Sequence, residues 1–343
     1  MTPADPGDAK IPAGLVDLAS ERLGGKALLA NDEFFAPKEN LLKPGRGIFV
    51  PDKFTDRGKW MDGWETRRRR TPGNDWCIVR LGLPGIIKMV DIDTNHFLGN
   101  HPPHAWVDAM SYDGEAFPDA AFADSPGWAG ILPKTALNPG SQNCFEISDG
   151  NRRTHVRLNI FPDGGVARLR VHGIVLPDWK KFKPGELVDL AAIENGGIAL
   201  RCSDMFFSPM NNLIMPGRAG NMGDGWETRR RRGPGYDWIV LRLGRPGTIR
   251  KIEVDTNHFK GNFPDTCSIE GCYAPEMGGD MVDDSGMRWK EVLPRTKLQA
   301  DTRHFFEREL LVGGLMTHVR LNIHPDGGVS RLRVWGVMEP VRG

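Results

Sequence analysis

"THVRLNIFPDGGVARLRVHG" runs from Thr154 to Gly173, and "THVRLNIHPDGGVSRLRVWG" runs from Thr317 to Gly336. In the first, Val156, Leu158 and Ile160 alternate with His155, Arg157 and Asn159; beyond Pro-Asp-Gly-Gly, Leu169 and Val171 alternate with Arg168, Arg170 and His172. A period of two is that of a β-strand, whose successive side chains face opposite ways. The spacing predicts two strands joined by a tight turn into a hairpin with one apolar and one densely polar face. Asp and Gly are what such a turn requires, so PDGG reads as structure rather than as a ligand site.

This pair is one part of an internal repeat. "LVDLAS" at Leu15 returns as "LVDLAA" at Leu187, "DEFFAPKENLL" at Asp32 as "DMFFSPMNNLI" at Asp204, and "DGWETRRRR" at Asp62 recurs unchanged at Asp224. "DWCIVRLGLPG" at Asp75 matches "DWIVLRLGRPG" at Asp237, and "DTNHFLGN" at Asp93 matches "DTNHFKGN" at Asp255. The order is kept throughout, so the chain is a tandem duplication. Its copies are placed at residues 12–177 and 186–340, joined by a charged, proline-bearing linker over 178–185. Before each DTNH, Val90 and Ile92 alternate with Asp91 and Asp93, as Ile252 and Val254 do with Glu253 and Asp255. Only LVDLAS and LVDLAA, each followed by a Gly-Gly pair, read as a short helix. Many short strands with Gly and Pro turns predict an all-β protein of two tandem jelly-roll-like β-sandwiches.

Bulk properties narrow the function. A length of 343 residues favours two separate cores. Lys and Arg total 45 against 44 acids, a net charge of +1, which argues against a nucleic-acid partner. Met1–Lys10 lacks the basic-then-apolar pattern of a secretory signal, and no apolar run is long enough to cross a bilayer. The five cysteines include no CxxC, which favours reduced thiols and a cytoplasmic location over a metal cluster or disulfide framework.

Taken together, LASERLGGKALLANDEFFAPKENLL, DGWETRRRR, DxDTNHFxGN and VRLNIxPDGG resemble the allantoicase family over nearly the whole chain. The resemblance implies a repeated jelly-roll of the galactose-binding-like kind, hydrolysis of allantoate to ureidoglycolate and urea in purine degradation through allantoin, and a homo-oligomer. The copies differ most before DGWE, where the first has a longer segment, Lys43–Lys59. Equal competence of the two halves is therefore not expected.

Allantoate carries a carboxylate and two ureido groups on one carbon, and the bond to break is a central C–N bond. That chemistry needs an acid for the departing urea, a base for water and a cation for the carboxylate. It needs no Ser or Cys nucleophile, and no GxSxG signature is present. Arg67 and Arg229 are the candidate clamp, with pairing to nearby acids as the alternative. Glu65 and Glu227 lie two residues earlier and would share that arginine's face on a strand, as catalytic carboxylates or as its partners. His96 and His258 are the candidate acid or base, with Asp93 and Asp255 to orient them. Asn95, Asn257, Asn100 and Asn262 suit the ureido groups, unless DTNHF is only a polar turn satisfying its own backbone. No cofactor is required by this route, but Asp91, Asp93 and His96, or Glu253, Asp255 and His258, could supply ligands for a divalent metal such as manganese. Two other classes compete: a non-catalytic tandem sugar-binding module, whose expected aromatic platform the motifs lack, and an interaction protein using the arginine runs.

Overall fold

The computed structural model describes residues 11–12, 14–114, 120–275, 287–311 and 313–339. The Met1–Lys10 segment and the end of the second copy at Pro340 lie outside them. The chain divides into two compact units, Met1–Leu176 and Pro177–Gly343.

The first unit is built from β1 (Val16–Asp17), β2 (Lys26–Ala30), β3 (Phe54–Thr55), β4 (Gly58–Lys59), β5 (Trp64–Glu65) and β6 (Asp75–Asp93). These are followed by β7 (His104–Met110), β8 (Ala129–Ala136), β9 (Gln142–Glu146), β10 (Arg152–Phe161), β11 (Gly165–Val166) and β12 (Arg168–Val175). The second unit repeats the pattern around a strand over Asp237–Asp255. All ladders are antiparallel, and the protein is all-β: two tandem jelly-rolls, with the four-residue helix Ala120–Ala123 the single α-helical turn among the described residues.

Each jelly-roll turns on one long strand. The 19-residue β6 pairs through its first half with β10 and β2, and through its second half with β12 and β9. The switch falls at the Pro84-Gly85 pair, where an added Cβ on Gly85 would come 2.3 Å from the Ile174 carbonyl. β10 and β12 therefore lie on opposite sides of β6 and do not pair with each other. This corrects the hairpin reading: each strand has the right period, but PDGG is a corner that carries the chain between the two layers. It sits beside a cis Phe161-Pro162 bond, as its counterpart sits beside a cis His324-Pro325 bond. The LVDLAS and LVDLAA segments are also corrected. Asp17 and Asp189 enter short strands and accept from the amides of Ala19 and Ala191, a local turn that outcompetes a helix.

Val156, Leu158, Ile160, Leu169 and Val171 are all fully buried, as the alternation requires. The opposite face is also covered. Asp108 accepts from Arg157 Nε at 2.9 Å and from Asn159 Nδ2 at 3.0 Å, so that face is a paired network rather than an open surface.

Three sequence motifs meet at one ring. Phe97 of DTNHF is fully buried, and its edge occupies the space a side chain would need at Gly63 of DGWE and Gly165 of PDGG. A Cβ at Gly165 would stand 1.9 Å from Phe97 Cε1, and one at Gly63 2.7 Å from Cε2. The second unit repeats this with Phe259, Gly225 and Gly328. Charge reinforces the junction: Arg168, just after PDGG, donates to the Asp62 carboxylate of DGWE at 2.6 Å. Overpacking of a tight core typically costs about 1–3 kcal/mol. Gly165→Ala is expected to lose roughly that amount in urea unfolding, while Gly99→Ala, with open space around its Cα, should leave the midpoint unchanged. Equal midpoints for both variants would show that the ring can yield.

Candidate active site

At the end of β6 the chain makes a tight turn. Phe97 N donates to the Thr94 carbonyl at 2.9 Å, and Thr94 is tied to the next loop through Ser141 O at 2.9 Å. His96 sits in this turn with φ of +68°, a left-handed conformation rare for a residue with a side chain. Such strain is held only where the surroundings dictate it. Here they do: the imidazole Nε2 lies 3.1 Å from the Gly47 carbonyl, and Asn95 Nδ2 donates to the same oxygen at 2.9 Å. A carbonyl only accepts, so Nε2 is the donor; in the neutral ring this leaves the lone pair on Nδ1. Phe49 lies against the imidazole at 5.6 Å between centroids.

His96, Asn95 and Asn100 share a cavity of about 540 Å³ with Glu65, Lys59 and Phe49. Asn100 Nδ2 donates to Glu65 Oε1 at 2.6 Å. Burial pushes the Glu65 carboxyl above its ordinary range, and the Asn100 hydrogen bond only partly offsets it. A carboxyl raised by burial, an imidazole and two amides thus line one chamber.

The other predicted residues lie elsewhere. Arg67 and Glu65 do not share a face, because β5 ends at Glu65 and the chain leaves the sheet before the arginines. Arg67 donates through Nε to Asp32 at 2.7 Å, and its backbone amide does so at 2.9 Å. Burial raises the Asp32 carboxyl, but those bonds and the Arg67 charge outweigh it and hold it below the usual range. Arg229 is engaged in the same way by Asp204, at 3.2 Å. The third arginine of each run pairs with the aspartate opening the long strand, Arg69 with Asp75 at 2.7 Å and Arg231 with Asp237. The first and third arginines of each run are thus paired with aspartates, and Arg67 does not line the cavity.

Asp93 does not orient His96. Both its oxygens accept from Arg46, each at 3.0 Å, and Oδ1 also takes the Asn95 amide at 2.9 Å. Asp91 accepts from Gln142 at 2.8 Å. In the second unit Glu253 accepts from Arg303 at 2.7 Å and Asp255 lies 3.5 Å from Arg218. Of the proposed metal ligands, Asp93 is held by Arg46 and His96 by the Gly47 carbonyl, while Asp91 accepts from Gln142 through Oδ2 and its buried Oδ1 has no hydrogen-bond partner among the described residues. No group of three His, Cys, Asp or Glu side chains suited to a metal is assembled among the described residues.

The second repeat keeps the frame and alters the chamber. His258 has φ of +71° and lies 2.9 Å from the Ala219 carbonyl, Asn257 reaches the same oxygen, and Asn262 donates to Glu227. Two differences separate it from the first. The Ile48 amide reaches Asp62 Oδ2 across 14 residues, whereas the equivalent Gly220 amide reaches Asp224 Oδ2 across 4, so the first repeat has ten extra residues. These carry Phe49 and β3–β4 with Lys59. The second difference lies in the loop that holds the turn. Thr94 and Thr256 are bound by Ser141 O and Thr302 O, which places Asp301 where the first repeat has Gly140. Asp301 Oδ1 accepts the His258 amide at 2.6 Å, whereas Gly140 lines the open cavity. Phe49, Lys59 and Gly140 escaped the motif-based reading because they lie where the copies differ. The longer Lys43–Lys59 segment was the signal that pointed to Phe49 and Lys59; no motif pointed to Gly140.

A carboxyl, an imidazole and two amides around one chamber give this jelly-roll pair the groups that acid–base chemistry needs. The chain matches the model of the allantoicase repeat twice, over residues 16–176 and 188–339. It is 51% identical to a probable allantoicase of Burkholderia mallei over 98% of both chains, and 50% identical to one of Pseudomonas aeruginosa over 94% of this chain and 95% of that one. The crystal structure of allantoicase from Saccharomyces cerevisiae superposes with a TM-score of 0.80 at 37% identity, covering 94% of this chain and 93% of that one. The chain belongs to the allantoicase family.

Gly140 provides a direct test of which chamber is open. Gly140→Asp installs the residue the second repeat uses, in a conformation that Asp tolerates. The near neighbour of its Cβ is the end of the exposed Leu98 side chain, which can move aside. Turnover is expected to fall at least about 10-fold with little change in thermal midpoint, since acid–base groups typically contribute 10²–10⁴-fold and the added carboxylate crowds them. Unchanged kinetics in this variant would mean that the reaction takes place away from His96.

Proposed function

We propose that the protein hydrolyses allantoate to ureidoglycolate and urea in the first-repeat chamber, with Glu65 as general acid and His96 as general base. The observation that carries this reading is the raised Glu65 carboxyl, held by Asn100 in the same cavity as the His96 imidazole. A carboxyl raised by burial is suited to deliver a proton near neutral pH.

The route follows from the substrate. The lone pair of one ureido nitrogen pushes out the other ureido group, the C–N bond breaks, and Glu65 gives its proton to the departing nitrogen, releasing urea. Water adds to the N-acyliminium carbon while its proton passes to His96 Nδ1, leaving the hydroxyl of ureidoglycolate. Glu65 and His96 then exchange protons with solvent to restore the starting state. Asn95 retains its side-chain oxygen and Asn100 one amide hydrogen for the ureido arms, which are rich in both donors and acceptors.

The route uses neither metal nor cofactor, which is consistent with the commitment of the Asp91 and Asp93 carboxylates to Gln142 and Arg46. The near-zero net charge supports the absence of a nucleic-acid partner. Five free cysteines support a cytoplasmic setting; no helix among the described residues is long and apolar enough to cross a membrane. Self-association is supported by the exposed Met205, Phe206 and Phe207, the latter two each 61% accessible.

Urea release from allantoate and not from the closed ring of allantoin is the primary test. His96→Asn should lower kcat about 10²–10⁴-fold, and His258→Asn should leave it within a few-fold. Comparable losses in both variants would place chemistry in both repeats. For the acid, the sign is set by the upward shift: Glu65 stays protonated above the usual carboxyl range and loses its proton as pH rises through its raised value. The kcat/KM profile should therefore fall on its alkaline side at that value, and Glu65→Gln should abolish the limb together with most activity. Prolonged chelation should leave turnover intact; complete loss, restored by one particular divalent ion, would overturn the metal-free route.

A further inference from the structure

Allantoate is an anion, and its carboxylate must meet a cation when it leaves water. The cations nearest the DTNHF turn are already engaged: Arg46 with Asp93, Arg67 with Asp32, Arg69 with Asp75 and Arg168 with Asp62. Lys59 is the one cationic side chain among the residues lining the chamber. Its ammonium lies 5.0 Å from the centre of the Phe49 ring and 4.6 Å from that of Phe54, and it makes no ion pair among the described residues.

Resting on the location of the reaction in the first repeat, we propose that Lys59 is the carboxylate-binding residue of this site. It is therefore the residue that selects an α-carboxylate on a ureido-bearing substrate. Its placement follows from the ten additional residues. β3 and β4 form a small hairpin in which Lys59 lies opposite Phe54, and the Trp60 amide closes it on Lys53 O at 3.1 Å. Two aromatic faces hold the ammonium without neutralising it, since a ring quadrupole attracts a cation but does not supply the counter-charge. A substrate carboxylate supplies that charge and completes the coordination of the ammonium. The second repeat has no such hairpin: between Gly220 and Asp224 lie only Asn221, Met222 and Gly223, and a lysine, Lys260, stands instead at the position of Leu98. Recognition of the carboxylate by an ammonium held between two aromatic rings is consequently confined to the first repeat, even though both repeats retain the Glu, Asn and His residues of the motif.

The test separates binding of charge from folding and from chemistry. Lys59→Met keeps length and apolar bulk and removes the charge; Lys59→Arg restores it. A charged hydrogen bond that leaves its partner unmet when removed is worth roughly 10- to 100-fold in binding. Lys59→Met should raise KM for allantoate by that factor with kcat within a few-fold, and Lys59→Arg should recover part of the loss. Ureidoacetate and its neutral amide serve as inhibitors that differ only in charge. The unsubstituted protein should prefer the acid, and Lys59→Met should bind the two equally well. A KM within twofold of normal in Lys59→Met, or an equal loss of affinity for acid and amide, would overturn the assignment. Glu65→Gln measured alongside distinguishes the two levels of the argument. If it is inactive while Lys59→Met is normal, only the carboxylate assignment fails; if it remains active, the location of the site fails and the assignment with it.

Discussion

The seating of Phe97 against Gly63 and Gly165 is the constraint on which each repeat depends. Those two glycines belong to DGWE and PDGG, segments separated by about a hundred residues, and both leave out a side chain where the ring must lie. The ring in turn fixes the DTNHF turn, and the turn forces His96 into its left-handed conformation. A pair of charged contacts locks the same junction: Arg168 with Asp62, and Arg46 with Asp93. Breaking a buried pair of this kind by removing one partner leaves a charge without compensation, which is more costly than the pair's net worth. The motifs are therefore unusual strings because each must satisfy the other two, independently of any chemistry.

This explains why duplication preserved the frame more faithfully than the chamber. Phe259 with Gly225 and Gly328, His258 at positive φ and the Glu227–Asn262 pair all follow from folding the second unit. None of them requires a substrate. What differs is peripheral to the junction: the ten residues after Ile48, and Gly140 against Asp301. Both positions border open space, where a change costs little stability and alters what can bind. Asp301 closes on the His258 amide and adds a negative charge, which disfavours an anionic ligand near that imidazole.

The all-β, duplicated architecture was legible in the sequence because strand alternation and repetition are local signals. Val156, Leu158 and Ile160 carry the first, and paired strings carry the second. The connection between strands was not legible. PDGG has the composition of a hairpin turn, and only the long β6, passing from one layer to the other at Pro84-Gly85, shows that its flanking strands belong to opposite layers. The site was half legible. Asn95, His96 and Asn100 share one chamber because the turn that holds them is encoded within a few residues, whereas Glu65 reaches it from β5, a neighbour the motifs do not reveal. Between the two readings of the arginines the sequence could not choose, since charge does not reveal its partner: Asp32 is distant in the chain from Arg67 and adjacent in the fold.

A repeat also biases what a reader of sequence can find. Matching strings draw attention to residues that both copies need, and in a duplicated protein those are the residues the fold itself demands. Catalytic specialisation of one copy is recorded in the mismatches. Here they supply an aromatic wall at Phe49, an ammonium at Lys59 and an open volume at Gly140, all against the same chamber. The shared motif provides carboxyl, imidazole and amides in fixed positions; in the reading proposed above, the unshared residues determine whether an anion can be held among them. A site of this kind is assembled by subtraction and insertion on a frame whose rigidity was already secured by Phe97 and its two glycines.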